Sequence, residues 1–408
     1  MTTALLNDPR ITIITGDIMK DNLGLSDLDW QVLQGSVNII IHAASSINLQ
    51  SSLKRLSSSI IAPSVSLAER AHEFKKLERF VFVSTAYANT HLWPLSQEPD
   101  VAVKEHIYPL CDRASFDPAD PESWTYLSTQ TQEEWNSVQQ SGSSREYESY
   151  DFPWAYGYAK HLAERLLLQR FAQHQAIDKL LIIRPSVFAP AISHPHPGFS
   201  SPFSTPLAGL SAAINLCFGR HATLAARSQD PLTEATLDEV PVDVVVDRLL
   251  THLACGTIGC VHAVSGRKSR QTVGEWYRMF MEERRLPWAI KPVWTSLSWH
   301  SPQLHPVERF YKIIGTSFDF HEDRTVDVLW GLSAHEALHL RLFTDGKVNS
   351  LRPRRNKTRQ LGICIGKKQR LPLCLVKLLC RSGKKNCAES RVLCQDNGLN
   401  QEKSQVVW

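Results

Sequence analysis

Four short apolar runs, each bounded by polar or turn-forming residues, punctuate the chain at 10–17 (R-I-T-I-I-T-G-D), 37–44 (V-N-I-I-I-H-A-A), 79–84 (R-F-V-F-V-S) and 180–184 (L-L-I-I-R). Their length and their β-branched and aromatic content predict strands. The run at 37–44 is apolar at consecutive positions, which predicts burial on both faces, as in a parallel sheet. Between the runs the period changes. A polar connection carries Leu23, Leu25, Leu28 and Trp30, residues 63–73 read as a helix, and Leu162, Ala163, Leu166, Leu167 and Phe171 recur at helical spacing within 157–173. Strands alternating with helices imply βαβ crossovers, hence an α/β fold with a Rossmann-like doubly wound parallel sheet.

The segment 89–152 interrupts this rhythm and reads as a long polar insertion with one short helix around 129–140. Residues 184–206 are rich in Pro and Ser and read as loop, and alternating elements return from Thr236. A reductase-type domain over 1–270, a smaller, mainly helical region over 271–350 and a tail over 351–408 are the expected divisions. The tail is set apart by charge: it holds 14 of the 45 Lys and Arg but 3 of the 41 acidic residues, so the net +4 of the chain belongs to it. It also holds five of the nine cysteines, without C-x-x-C spacing, and no disulfide framework or zinc finger is expected. It reads as a disordered or incorrectly translated extension, with peripheral contact to an anionic membrane as the alternative and nucleic acid not expected. No run of 18 apolar residues and no secretory signal are evident. An intracellular protein, cytoplasmic or membrane-peripheral, is the expectation.

Two groups of residues carry candidate chemistry. Tyr156 and Lys160 lie four apart at the start of the helix over 157–173, so both project from one face. A cation beside a phenol favours the phenolate and suits a tyrosine that donates a proton near neutral pH. Ser84 and Thr85 follow the buried strand at 79–84, at the carboxyl end where ligands meet an open α/β sheet. Each group has a plainer reading, a helix start for the first and a capping turn for the second.

The ordered series of motifs resembles the extended short-chain dehydrogenase/reductase family and, within it, the fatty acyl-CoA reductases and the related thioester reductases. It comprises G-D-I at Gly16 to Ile18, L-G-L-S at Leu23 to Ser26, I-I-H-A-A-S at Ile40 to Ser45 and F-V-F-V-S-T-A-Y-A-N at Phe80 to Asn89. It continues with E-H-I-Y-P at Glu105 to Pro109 and F-P-W-A-Y-G-Y-A-K-H-L-A-E at Phe152 to Glu164. I-I-R-P-S-V at Ile182 to Val187, H-P-H-P-G-F at His194 to Phe199 and V-P-V-D-V-V-V at Val240 to Val246 complete it. The resemblance implies Tyr156 as proton donor, Lys160 as the residue that holds the nicotinamide ribose and lowers the Tyr156 pKa, and Thr85, with Ser84 as the second candidate, as donor to the substrate carbonyl. It places Gly16, Asp17 and Ile18 near the adenine, Ala43 and Ala44 near ribose and phosphates, and Pro185, Ser186 and Val187 beside the nicotinamide.

The implied reaction is reduction of an acyl-CoA to the alcohol through the aldehyde with NADPH, NADH not being excluded. Reductive release of a carrier-bound acyl or polyketide thioester and a shortened non-catalytic relative are the alternatives. Oligomeric state is not legible. In the family a T-G-x-x-G-x-x-G turn precedes the G-D-I strand and the cofactor pyrophosphate sits on it. No such motif occurs in the chain, so an amino-terminally incomplete sheet is expected. Ile60 stands where the family usually places an asparagine, which predicts an altered hydrogen-bond network. One motif competes: His335-Glu336-Ala337-Leu338-His339 matches the H-E-x-x-H zinc pattern. Without a third ligand nearby it reads as a half-exposed helix over 326–342, and no metal is expected.

Overall fold

The computed structural model describes residues 8–96, 98, 100–110, 121–200, 219–226, 228–284, 288–305, 312–344 and 406–407. Its centre is a four-stranded sheet in the order β4-β3-β2-β1, formed by β1 (Ile39–His42), β2 (Arg79–Val83), β3 (Leu180–Pro185) and β4 (Gly259–Ala263), with every pairing parallel. The register aligns His42, Phe82, Ile182 and Cys260 in one row across the sheet. Phe80, Phe82, Leu180 and Ile182 belong to a core with residues of the helices α2 (Ala62–Ala71) and α4 (Ala155–Gln173). Residues of the opposite parity, Val81, Leu181, Ile183 and Val261, pack with Val244 and Val245 of α5 (Val242–Ala254). Helices on both faces explain why these strands read as continuous apolar runs.

α4 is buried on nearly all sides. Leu162, Ala163, Leu166, Leu167 and Phe171 are fully enclosed, and so are Glu164 and Arg165. Its charges survive burial because each is paired: Arg184 on β3 grips Glu164 through two bonds of 3.0 and 2.6 Å, and Arg165 grips Glu134 through two of 2.6 Å. Glu134 lies on α3 (Pro121–Ser141), where Leu127, Thr131, Glu134, Trp135 and Val138 make one buried stripe. The insertion thus carries a helix of 21 residues rather than a short one. Its other positions are polar enough to hide the period.

Three expectations change. Of residues 10–17 only Thr15–Gly16 is strand, and it pairs with Val406–Val407 outside the main sheet. The backbone turns at Asp17, whose N–H donates to the Leu23 carbonyl at 2.7 Å and whose carboxylate accepts the Met19 N–H at 3.0 Å, so its bonds go into a local turn. Next, β1 is the sheet's edge among the described residues, and Ile39 and Ile41 are 44% and 36% exposed instead of buried. Finally, residues 326–342 divide into α7 (Asp323–Gly331) and α8 (Ala334–His339), separated by the extended Leu332 and the Ser333 cap. The tail over 351–408 lies outside the described residues apart from the pair Val406–Val407.

Residues after 270 are tied to the sheet by specific bonds. Phe318–Phe320 pairs in parallel with Val101–Val103, and Lys291–Thr295 with His221–Ala225. Glu105 accepts the N–H of His262 at 2.7 Å and that of Arg324 at 2.9 Å, while the carbonyl of His106 accepts from Arg184 at 2.8 Å. The E-H-I-Y-P motif is therefore a clamp between the insertion, β3, β4 and α7. No helix among the described residues is long and apolar enough to cross a membrane.

Candidate active site

β2 delivers Ser84 and Thr85 to the carboxyl end of the sheet. Ser84 continues the ladder, its N–H donating to the Ile183 carbonyl at 2.7 Å, and Thr85 caps the 3-10 turn Ala86–Asn89 by accepting the Tyr87 N–H at 3.2 Å. The Thr85 hydroxyl donates to the Pro185 carbonyl over a long 3.4 Å, so its proton is weakly held. The Ser84 hydroxyl is buried and has no partner among the described residues. The capping role proposed as the plainer reading of Thr85 is thus present, and it leaves the donor capacity nearly free.

Tyr156 and Lys160 reach this end from α4. Tyr156 packs against the cluster that contains Ala86, Tyr87 and Trp154, with Val187 at its margin. Lys160 donates to the Val83 carbonyl at 2.8 Å, and its ammonium lies 4.7 Å above the centre of the Phe82 ring. The first turn of α4 comes this close because Gly157 has no side chain: a Cβ there would stand 3.0 Å from the Tyr87 carbonyl oxygen. Burial holds the Tyr156 phenol up at about 12, and it holds Lys160 down at about 7 against the opposing field of Glu164. The tyrosine is therefore raised, where the resemblance implies a lowered value. The ammonium is directed at Val83, and burial is the governing cause.

Of the other expected cofactor residues, Pro185, Ser186 and Val187 join this group: Pro185 accepts from Thr85, the Ser186 N–H donates to the Ala263 carbonyl, and Val187 begins the short strand Val187–Ala189 beside Glu239–Pro241. Ala43 and Ala44 follow β1 at the same end of the sheet, exposed and half-buried. Gly16, Asp17 and Ile18 lie in and after the Thr15–Gly16 strand, and no ladder bond links them to the four-stranded sheet. Ile60 keeps its side chain in the core; its carbonyl, in a π-type turn (Ser57–Ile61), accepts from Ser64 at 2.6 Å. In H-E-x-x-H, Glu336 is consumed by a capping box with Ser333, and among the described residues no three ligands gather for a metal.

Sequence reasoning gave no role to Asp243. Its carboxylate accepts the N–H groups of Ile192, Ser193 and His194 at 3.0, 2.8 and 3.2 Å, pinning the loop after the Val187 strand to the start of α5. His42, the one polar residue in β1, was also passed over.

The profile of the male sterility protein family matches residues 2–249. The chain belongs to this family, an NAD-binding branch of the extended short-chain dehydrogenase/reductases. Fatty acyl-CoA reductase 1 of Xenopus laevis is 27% identical over 241 residues, and that of Homo sapiens 28% over 244; each alignment covers 59% of this chain and 41% of the relative. The chain thus spans about two fifths of the length of these relatives. Among solved structures, the terminal R domain from the myxalamid PKS-NRPS biosynthetic pathway superposes with a TM-score of 0.52 at 14% identity, covering 89% of this chain and 77% of that one. This supports the Rossmann-like fold. The cofactor class of the family is a nicotinamide dinucleotide.

Proposed function

We propose that this chain carries the reductive chemistry of a fatty acyl-CoA reductase, converting an acyl-CoA thioester to the alcohol through the aldehyde at the expense of NADPH. The observation that carries this reading is the convergence of Thr85, Tyr156 and Lys160 at the carboxyl end of one parallel sheet, with Pro185 to Val187 beside them. The donor set fits a nicotinamide ribose. Lys160 is a buried ammonium with one acceptor, and Ser84 a buried hydroxyl with none, among the described residues.

When bound, the reduced nicotinamide supplies the hydride. The side chains have a different task, since negative charge develops on the thioester oxygen as carbon becomes tetrahedral. Thr85 donates a hydrogen bond to that oxygen, and Tyr156, kept protonated by burial through the neutral range, supplies its proton. The hemithioacetal expels the thiol, its hydroxyl proton passing to sulfur, and once Tyr156 is reprotonated from solvent the same groups serve the aldehyde in a second reduction, for which a second NADPH would supply the hydride. Lys160, charged below pH of about 7, holds the ribose hydroxyls. On this reading the chemistry resides within 1–270, with 271–350 clamped to it and the tail beyond 351 outside it.

Calorimetric titration of NADPH into the full chain, followed by acyl-CoA-dependent NADPH oxidation, tests the proposal. Micromolar binding with turnover supports it, and turnover on an acyl-carrier protein in place of acyl-CoA assigns the carrier-bound substrate instead. A folded chain that binds no NADPH contradicts the reading for this chain.

A further inference from the structure

Beneath Lys160 lies a buried polar chain that the reductase chemistry described above does not use. The Ser64 hydroxyl is 2.6 Å from the Ile60 carbonyl and 2.9 Å from His42 Nε2. A carbonyl only accepts, so Ser64 spends its single proton on Ile60 and must itself accept from the imidazole. The proton of His42 therefore sits on Nε2, and Nδ1 is left as a bare acceptor. Nδ1 is buried, and no donor reaches it among the described residues. The ring is 1% exposed, and burial together with the nearby Lys160 charge keeps it neutral down to about 3.

The bare lone pair and the ammonium share a neighbour. His42 is paired in register with Phe82, their ring centres are 5.4 Å apart, and Lys160 Nζ stands 4.7 Å from the same Phe82 ring. Lys160 donates one proton to Val83 and has two more to place. Around it, Tyr156 and Glu164 lie one turn away on α4, β1 contributes His42, and β2 contributes the uncharged Phe82 and Val83. We propose that His42 is a positioning residue: its Nδ1 accepts a hydrogen bond from one water that in turn accepts from the Lys160 ammonium, and so fixes where that cation stands and favours its charged form. Ser64 and the π-type turn that presents the Ile60 carbonyl select the tautomer that makes this possible. In this arrangement the position occupied by isoleucine contributes through its backbone and not its side chain. The catalytic consequence rests on the reductase reading. The tautomer and the Lys160 interaction do not.

The test uses the full chain without cofactor. Nitrogen-15 NMR of the histidine rings reports the tautomer, and the Lys160 carbon-13 ε signal, assigned by loss in Lys160→Met, reports its titration. The expected results are His42 protonated at Nε2 and a Lys160 midpoint that falls by about one pH unit in His42→Phe, the tenfold shift typical of one lost bond to a charged group. His42→Gln, which retains an acceptor, should restore most of the midpoint. Ser64→Ala leaves the ring in place, so it serves should His42→Phe fail to fold; it should give a mixture of tautomers and a smaller fall. A proton on Nδ1 in the wild-type chain, or a midpoint unmoved by both His42→Phe and Ser64→Ala, overturns the proposal whether or not the chain oxidises NADPH.

Discussion

The Lys160 ammonium donates to the Val83 carbonyl at 2.8 Å, which places a buried cation directly beneath Ser84 and Thr85. This position has a thermodynamic signature. Burial lowers Lys160 from its ordinary value of 10.5 to about 7 in the folded chain. Below pH 7 the amine is charged in both states and folding bears the full burial cost. Between pH 7 and about 10 the unfolded chain binds the extra proton, so this group's destabilisation fades as pH rises. Lys160→Met should therefore be more stable than the wild type at pH 6 by a few kcal/mol at most, with the gap closing toward pH 10. Guanidinium unfolding of both proteins at pH 6, 8 and 9.5 measures it; a gap that widens with pH contradicts the assignment.

Tyr156 and Thr85 differ in what their removal should do. Tyr156→Phe deletes only a hydroxyl and keeps the ring in its cluster, so Tm should hold within a few degrees while NADPH oxidation falls by about 100-fold or more. Thr85→Val removes both the donor and the cap on the Ala86–Asn89 turn, so a similar fall in rate should come with a loss of about 1 kcal/mol. Ser84→Ala removes a buried, unpartnered hydroxyl and should not destabilise. If Ser84→Ala abolishes turnover and Thr85→Val does not, Ser84 is the donor to the substrate oxygen.

The parts legible in the sequence are those whose signal is local. β2, β3 and α4 were visible because each buries a continuous stripe or run, β1 because its residues are apolar and β-branched, and Ser84, Thr85, Tyr156 and Lys160 because they terminate or begin such elements. Glu105 and Asp243 were not, since a carboxylate that caps backbone N–H groups 49–219 residues away has no local signature. α3 was underestimated because Gln, Ser and Thr fill its solvent side and only its stripe from Leu127 to Val138 meets α4. The run at 10–17 misled for a related reason. Its β-branched residues favour a strand, but Gly16 and Asp17 commit the backbone to a turn against Leu23. Ile39 and Ile41 show that an apolar run predicts a strand more securely than it predicts what covers the strand.

Asp243 offers a test of the loop that flanks the candidate nicotinamide side. Asp243→Ala leaves the N–H groups of the half-buried Ile192 and Ser193 and of the exposed His194 without their acceptor, a loss of about 1–2 kcal/mol because water can reach part of what the carboxylate held. Asp243→Asn keeps one acceptor oxygen and should lose roughly half as much. Urea unfolding gives the stability, and limited proteolysis should show faster cleavage around 190–200 in Asp243→Ala. Equal stability of all three proteins would show that the clamp contributes nothing.

Two glycines in helices make a matched pair. Gly35 in α1 (Asp27–Ser36) has nothing within 4 Å of the place a Cβ would take, so Gly35→Ala should stabilise by about 0.5–1 kcal/mol through helix propensity and leave turnover unchanged. At Gly157 the same methyl group would meet the Tyr87 carbonyl at 3.0 Å and the Thr90 hydroxyl at 3.3 Å. A backbone carbonyl cannot swing aside as a side chain can, so α4 has to move away from the Ala86–Asn89 turn and carry Tyr156 and Lys160 with it. The contact calls for a shift of a few tenths of an ångström, and since about 1 Å between reacting groups can lower a rate by about 100-fold, a shift of that size lowers it by a factor of a few. Gly157→Ala should therefore lose activity by a factor of a few as well as stability, whereas Gly35→Ala loses neither. If Gly157→Ala turns over like the wild type, the close approach of α4 to the Thr85 turn is not what aligns the catalytic groups.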